Sequence, residues 1–318
     1  MKNIAKKIHL HLQSAGPIVV AVHQNPDGDA LGSAFAFASY LRLIGRPTIL
    51  FCATGLPANL EFIHGKLDFV HDPTQAITPD THTIVVLDSG DLRYAGLRGH
   101  LNNHPAVIIN IDHHPTNEAY GHFNLTDHTA SSTAEIVFNF LNYNNIKLTA
   151  SMATALLTGL ITDTNNLTNS ATSISAINTA SQLIRLGGNL STVNKWTVKN
   201  SSMAMLKIWG VILQRLEFIP DKEIAYTYLT RQDCQTAGLL EHQTEGVANF
   251  MNNISGVKAS LFLKEVDNNQ VKGSFRTTID NVDVSAWAKK MGGGGHKKAA
   301  GFTATGSIEQ VLDKILAM

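Results

Sequence analysis

Ala106-Val107-Ile108-Ile109-Asn110-Ile111-Asp112-His113-His114 is an apolar run that stops on an acid and two imidazoles. Two other runs stop the same way: Ile18-Val19-Val20-Ala21-Val22 leads into His23, with Asp27 and Asp29 close behind, and Thr83-Ile84-Val85-Val86-Leu87 leads into Asp88. Continuous apolar runs of this length, separated by helical stretches, read as central strands of a parallel sheet covered on both faces. The expected fold is α/β, with a mainly parallel N-terminal sheet flanked by helices. In open sheets of this kind ligands bind beyond the carboxyl ends of the strands. Asp163, after the apolar stretch 155–161, can join the three strand ends from a neighbouring helix.

The residue types narrow the chemistry. Carboxylate oxygen and imidazole nitrogen without cysteine suit a hard-to-borderline divalent ion such as manganese or magnesium better than a structural zinc. Asp27 and Asp29 stand two apart, so in an extended loop both can point to one side. So many carboxylates would leave charge uncompensated around one ion, and two ions sharing a bridging carboxylate is the economical arrangement. Paired metals roughly 3.5–4 Å apart acidify a water and clamp the attacking and leaving oxygens of phosphoryl transfer. Hydrolysis at phosphorus is the expected reaction.

Each residue alone has a plainer reading. An Asp after a strand is often a turn residue or a helix cap, so Asp29 could cap the helix beginning near Ala30, and His114 could bond backbone only. The shared placement at three strand ends is what favours ligation. His9, His11, His64, His71, His100, His104, His122 and His128 lack such placement and are read as solvated surface. Ser132, followed three residues later by Glu135, reads as a capping box opening a helix rather than as a nucleophile.

The segments 23–33 (His-Gln-Asn-Pro-Asp-Gly-Asp-Ala-Leu-Gly-Ser), 86–88, 112–114 and 159–163 resemble the four ordered motifs of the DHH phosphoesterases. Within that family the likeness is to the short oligoribonuclease and 3′-phosphoadenosine-5′-phosphate phosphatase proteins, the nanoRNases. The resemblance implies that His23 and Asp27 hold one manganese, that Asp29, His113 and Asp163 serve a second, and that Asp88 bridges them. It implies that His114 faces the substrate phosphate, while Asp112 orients an imidazole. Two Mn2+ ions, with Mg2+ or Co2+ as substitutes, are the implied cofactors.

A second cluster lies far along the chain: Gly292-Gly293-Gly294-Gly295-His296, then Lys297 and Lys298. Glycines let backbone approach a ligand closely, and a helix opening just after them would turn its positive end to an anion. The run 271–276 reads as a strand delivering Arg276, whose planar fork suits phosphate. In the family the matching arginine and glycine-rich loop belong to a C-terminal DHH-associated domain that grips the nucleotide. Arg276, Gly293, Gly294, Gly295 and His296 are the substrate-binding residues this implies.

The 318 residues, 44% of them apolar, suffice for two cores. The expected division is 1–190 for the DHH domain, 191–217 for a helical linker containing the amphipathic stretch 202–216, and 218–318 for a smaller C-terminal α/β domain. Lys plus Arg and Asp plus Glu number 25 each, so there is no electrostatic footprint for long nucleic acid. Short RNA oligonucleotides and small phosphorylated nucleotides are the expected partners, and a homodimer is left open. The expected activity is manganese-dependent hydrolysis of very short RNA to mononucleotides, together with conversion of 3′-phosphoadenosine 5′-phosphate to AMP. A cyclic or linear di-adenylate phosphodiesterase would use the same residues. An inorganic pyrophosphatase would lack the glycine-rich histidine loop, and a nucleotide sensor would have a broken metal set. Cys52 and Cys234 are too few and too far apart for a disulfide framework. The absence of an uninterrupted apolar leader or membrane span leads to an expected cytoplasmic location.

Overall fold

The three apolar runs form parallel strands side by side, because each can bury both of its faces. The computed structural model describes residues 1–64, 67–101, 104–197, 202–238, 246–266 and 269–317. They fall into two units, Met1–Asn200 and Ser201–Met318.

In the first unit the elements run α1 (Lys2–Ser14), β1 (Ile18–Val22), α2 (Gly28–Leu43), β2 (Thr48–Phe51), α3 (Glu61–His64), β3 (Phe69–Val70), α4 (Pro73–Ala76) and β4 (Thr83–Leu87). They continue through β5 (Val107–Asp112), β6 (Phe123–Thr126), α5 (Thr133–Tyr143), α6 (Ala150–Asp163), α7 (Ile174–Arg185) and α8 (Leu190–Thr197). The sheet is parallel throughout, in the order β3-β2-β1-β4-β5-β6. The chain reverses its winding between β1 and β4, the switch point at which open α/β sheets bind ligands.

Alternation along the strands divides the core. Val20, Val22, Val85, Leu87, Ile109 and Ile111 pack with α1, α2, α5 and α6. Their neighbours Val19, Ala21, Ile84 and Val86 meet Ala76, Ile77, Ala95, Leu97 and Ala106, so the opposite face is covered by short segments.

Helices α2 and α6 approach at backbone distance. A Cβ on Gly32 would lie 2.2 Å from the Ala155 carbonyl oxygen, one on Gly28 2.5 Å from Thr162 Oγ1, and one on Gly159 2.6 Å from Asp29 Oδ1. Three glycines therefore permit this contact.

The second unit runs α9 (Met203–Gln214), β7 (Glu217–Ile219), β8 (Ile224–Leu229), α10 (Arg231–Ala237), α11 (Val247–Phe250), β9 (Ala259–Val266), β10 (Gln270–Arg276), α12 (Val284–Lys290), β11 (Gly294–His296), β12 (Ala299–Thr305) and α13 (Ile308–Leu316). Its mixed sheet has the order β11-β12-β10-β9-β8-β7, with β8 and β9 parallel and the other pairs antiparallel.

The stretch expected to be a linker is instead divided between two cores. Val193 of α8 is buried in the first. Ile208 and Ile212 of α9 pack on Leu229, Cys234 and Phe262 in the second, which accounts for the amphipathic spacing of 202–216. Both cysteines are buried. Among the described residues no helix is long and apolar enough to cross a membrane.

Candidate metal centre

The predicted ligands of the first unit sit where elements begin or end at the carboxyl edge of the sheet. His23 follows β1 and is 5% exposed. Its Nδ1 bonds the Gln24 carbonyl at 2.8 Å, and its Nε2 lies 3.9 Å from Asp27 Oδ1 and 3.6 Å from Asp88 Oδ2. Asp88 follows β4 with a φ of 58°, a left-handed conformation that costs a non-glycine residue about 1 kcal/mol or more. That turn accompanies a buried carboxylate within 3.8 Å of imidazole nitrogens from His23, His113 and His114.

Asp27 and Asp29 divide their structural work differently from the expectation. Asp27 caps α2, accepting from the Asp29 and Ala30 amides at 2.9 and 3.1 Å. Asp29 lies inside α2 and reaches across to α5, where its two oxygens accept from the Thr133 amide at 2.6 Å and the Ala134 amide at 2.8 Å. The plainer alternative, that Asp29 merely caps the helix near Ala30, does not hold: it caps a helix about a hundred residues away, whose amino-terminal dipole favours a negative charge.

Asp112 is the last residue of β5 and fully buried. Its Oδ1 is 2.7 Å from His114 Nδ1, and its Oδ2 accepts from Asn117 Nδ2 at 2.5 Å. His113 turns its Nε2 to Asp163 Oδ2 at 3.1 Å, bringing in the last residue of α6. Three overlapping sets, each with ligand atoms within 4.8 Å of one another, result: His23, Asp27 and Asp88; Asp29, His113 and Asp163; and Asp88, His113 and His114.

The electrostatics are those of a site crowded with negative charge. Burial, with Asp88, Asp163 and Asp27 adding to it, holds Asp29 well above the ordinary carboxylate range. Burial also raises Asp163 to about 6, the His113 bond opposing and Asp88 and Asp27 adding. Burial pulls His23 down, but Asp27 and Asp88 outweigh it and push the imidazole up to about 11. His113 is pushed up to about 9 in the same way, Asp163 and Asp88 overcoming desolvation. Asp112 is the principal reason that His114 is raised. Divalent cations would take the place of these protons, and the oxygen and nitrogen donors present fit manganese or magnesium.

Two contributing residues lie outside the predicted set. Thr133 donates its hydroxyl to Asp88 Oδ1 at 3.0 Å while its amide holds Asp29, and Asn117 pins Asp112. The clue to Thr133 was the capping stretch itself. Ser132 Oγ does accept from the Glu135 amide, but the Glu135 carboxylate bonds the Ser131 amide and hydroxyl at 2.9 and 2.7 Å, so the reciprocal box is displaced by one residue. Nor are the other histidines simply solvated. His9 bonds Tyr40, His11 bonds Thr83, His71 the Cys52 carbonyl, His104 the Thr78 carbonyl and His122 the Ile108 amide, whereas His100 and His128 are exposed.

In the second unit the glycine run is not followed by a helix. It leaves α12 and becomes β11, which turns back into β12. The expected helix amino terminus is therefore absent from the described residues. Gly293 and Gly295 are glycines for packing, since their Cβ atoms would lie 2.1 Å from the Gly301 carbonyl and 2.6 Å from Ala300 Cα. The register nevertheless aligns two predicted residues, because Ala299 of β12 pairs with His296 on one side and Arg276 on the other. Directly paired residues share a sheet face, so both stand in one row with a small side chain between them. Arg276 Nε bonds Asn249 Oδ1 at 3.0 Å and its Nη1 the Phe275 carbonyl at 2.9 Å, while His296 is exposed.

Residues 17–160 match the family model described as DHH family, N-terminal domain, and residues 221–318 the DHHA1 domain. The bifunctional oligoribonuclease and PAP phosphatase NrnA of Thermus thermophilus is 29% identical over 303 residues, 95% of this chain and 88% of the relative. The protein of the same name from Bacillus subtilis is 26% identical, covering 94% of this chain and 92% of its own length. Among solved structures, an exopolyphosphatase-related protein from Bacteroides fragilis superposes with a TM-score of 0.91 at 23% identity, covering 100% of this chain and 95% of the other.

Proposed function

From a chain whose residues 17–160 match the DHH domain model and whose residues 221–318 match the DHHA1 model, we propose a manganese-dependent hydrolase that degrades very short oligoribonucleotides to mononucleotides and removes the 3′ phosphate of 3′-phosphoadenosine 5′-phosphate. The observation that carries this reading is the convergence of six carboxylate and imidazole ligands around Asp88 at the switch point of the sheet. The NrnA relatives match over nearly the whole chain, which supports the substrate class.

In this reading His23, Asp27 and Asp88 hold one cation, and Asp29, Asp88, His113 and Asp163 the other. When bound, such a pair supplies an acidified water and neutralises charge on the phosphate. The protein's own contribution is orientation. Asp112, itself held by Asn117, fixes His114 through Nδ1 and leaves Nε2 as the edge offered to a phosphate oxygen or a leaving group. Arg276 and His296, in one row of the second sheet, would contact a substrate phosphate, with the backbone of Gly293, Gly294 and Gly295 beside them.

The test is product release from the manganese-loaded protein with a dinucleotide RNA, a 24-nucleotide RNA, 3′-phosphoadenosine 5′-phosphate, cyclic di-adenylate and pyrophosphate in parallel. Mononucleotides from the dinucleotide with little action on the long RNA are expected. Exclusive turnover of cyclic di-adenylate or pyrophosphate would replace this reading.

A further inference from the structure

Beside the metal cluster lies a cavity of about 500 Å³, lined among others by Gln24, Asp91, Arg93, Tyr94, His114 and Thr116. That volume lies within the roughly 300–1,000 Å³ typical of small-molecule pockets. It belongs to the first unit alone and shares His114 with the cluster. Its wall is also joined to His23, on which the Tyr94 ring stacks at 4.9 Å between centroids and 7° between planes.

The backbone of Tyr94 is fixed from two sides. Its amide donates to Asp91 Oδ1 at 2.7 Å, and its carbonyl accepts from the Gln24 amide at 3.0 Å. The Tyr94 side chain is nevertheless open, with the residue 47% exposed, so one ring face rests on a predicted metal ligand while the other is free. Arg93, next to it, is exposed and has no ion pair among the described residues, whereas the neighbouring Asp91 carboxylate is engaged by the Tyr94 amide. A held aromatic ring with a free guanidinium beside it offers a stacking surface and a planar phosphate fork.

We propose that this cavity is a subsite for a nucleoside carrying phosphates on both its 5′ and 3′ positions. The base stacks on the open face of Tyr94, one phosphate lies at the metal cluster beside His114, and the other pairs with Arg93. The inference rests on the proposed function and adds to it a reason why one site takes two kinds of substrate. A 5′-phosphorylated dinucleotide and 3′-phosphoadenosine 5′-phosphate share that bisphosphorylated unit.

The test uses the manganese-loaded full chain with Tyr94→Ala, Tyr94→Phe, Arg93→Ala and Arg93→Lys. Tyr94→Ala should raise KM for a 5′-phosphorylated dinucleotide roughly tenfold, the size of one lost base stack, with kcat little changed and Tyr94→Phe close to the parent. It should add no loss on a dinucleotide whose 5′ nucleoside is abasic. Arg93→Ala should erase the preference for a 5′-phosphorylated over an unphosphorylated dinucleotide, and Arg93→Lys should restore part of it. Calorimetry with AMP and with adenosine reads the subsite without turnover: AMP should weaken in both alanine variants, adenosine only in Tyr94→Ala. Unchanged AMP binding in the variants, or a fall in kcat at constant KM, would overturn the subsite. Parent protein that binds AMP in this pattern but cleaves no dinucleotide would overturn the proposed function and leave the subsite standing.

Discussion

Replacing Gly32 by alanine places one methyl group where α2 and α6 touch. The new Cβ would lie 2.2 Å from the Ala155 carbonyl oxygen, 3.1 Å from its carbon and 3.3 Å from the Gly159 nitrogen. These are backbone atoms and cannot rotate away, so the helices must part by roughly 1 Å to reach ordinary contact distance. Overpacking of this kind costs about 1–3 kcal/mol, and the better helix propensity of alanine returns up to about 1 kcal/mol. A net loss of about 1–2 kcal/mol is expected for the first unit. The larger consequence is at the metal centre. Asp27 and Asp29 move with α2 and Asp163 with α6, while ligand distances tolerate only about 0.2 Å. Manganese affinity should therefore fall by about tenfold or more, a greater effect than the stability loss alone would give. Calorimetric titration of manganese into Gly32→Ala, alongside its thermal unfolding, is the assay. Gly210→Ala serves as the control, since its methyl would meet nothing within 4 Å on an exposed turn of α9. Parental manganese affinity in a folded Gly32→Ala would refute the idea that the α2–α6 contact sets the ligand geometry.

Other outcomes follow from single contacts. Gly210→Ala itself should stabilise the second unit by about 0.5–1 kcal/mol in denaturant unfolding. Thr133→Val, which removes the hydroxyl from Asp88, should lower manganese affinity or turnover about 10–100-fold without unfolding the protein, measured by titration and steady-state rates. Asp88→Ala should abolish turnover, and retained activity would remove the bridging role proposed for it. Manganese should raise the unfolding temperature of the first unit, by about 2.7 kcal/mol of stability at a hundred times its dissociation constant, and a chelator should reverse this. Arg215 forms a bidentate pair with Asp233 that, against the opposing effect of burial, lowers the carboxyl to about 2 from an ordinary value of 3.8. A depressed carboxyl stabilises the fold above its ordinary value and loses that contribution as pH falls through its folded value. Asp233→Asn should therefore cost the second unit about 1–2 kcal/mol at pH 7, the gap closing between about pH 4 and pH 2 in unfolding measured against pH.

The strands β1, β4 and β5 were legible because strands buried on both faces are written as unbroken apolar runs. The site followed because such sheets bind ligands at one edge, which made His23, Asp88, Asp112, His113 and His114 stand out by position. What the chain did not spell out depends on partners distant in sequence. The left-handed turn at Asp88 has no glycine to announce it. Thr133 and Asn117 matter only through the carboxylates they meet, and Ser131, Ser132 and Thr133 look alike until the fold chooses among them. The glycine run misled only about the helix expected to follow it, for a related reason. Four glycines permit either an anion-binding turn or a tightly packed edge strand, and Gly301 and Ala300 across the hairpin decide for the strand. His9, His11 and His71 were read as solvated because their hydrogen-bond partners, Tyr40, Thr83 and the Cys52 carbonyl, are invisible to local pattern.

Asp29 has a bearing on how such a protein can change over evolutionary time. Its carboxylate closes the amino end of α5 from another helix, so losing it would leave two amides buried in the interior without acceptors. Asp163 carries no comparable burden, for its side chain meets His113 and lies nearer the surface. A descendant lineage relieved of catalysis would be free to drift at Asp163 first and would keep an acceptor at Asp29 long afterwards. Retention of that acid in a diverged copy would thus be a record of folding, and the identity of the residue at 163 the better witness to whether chemistry is still under selection.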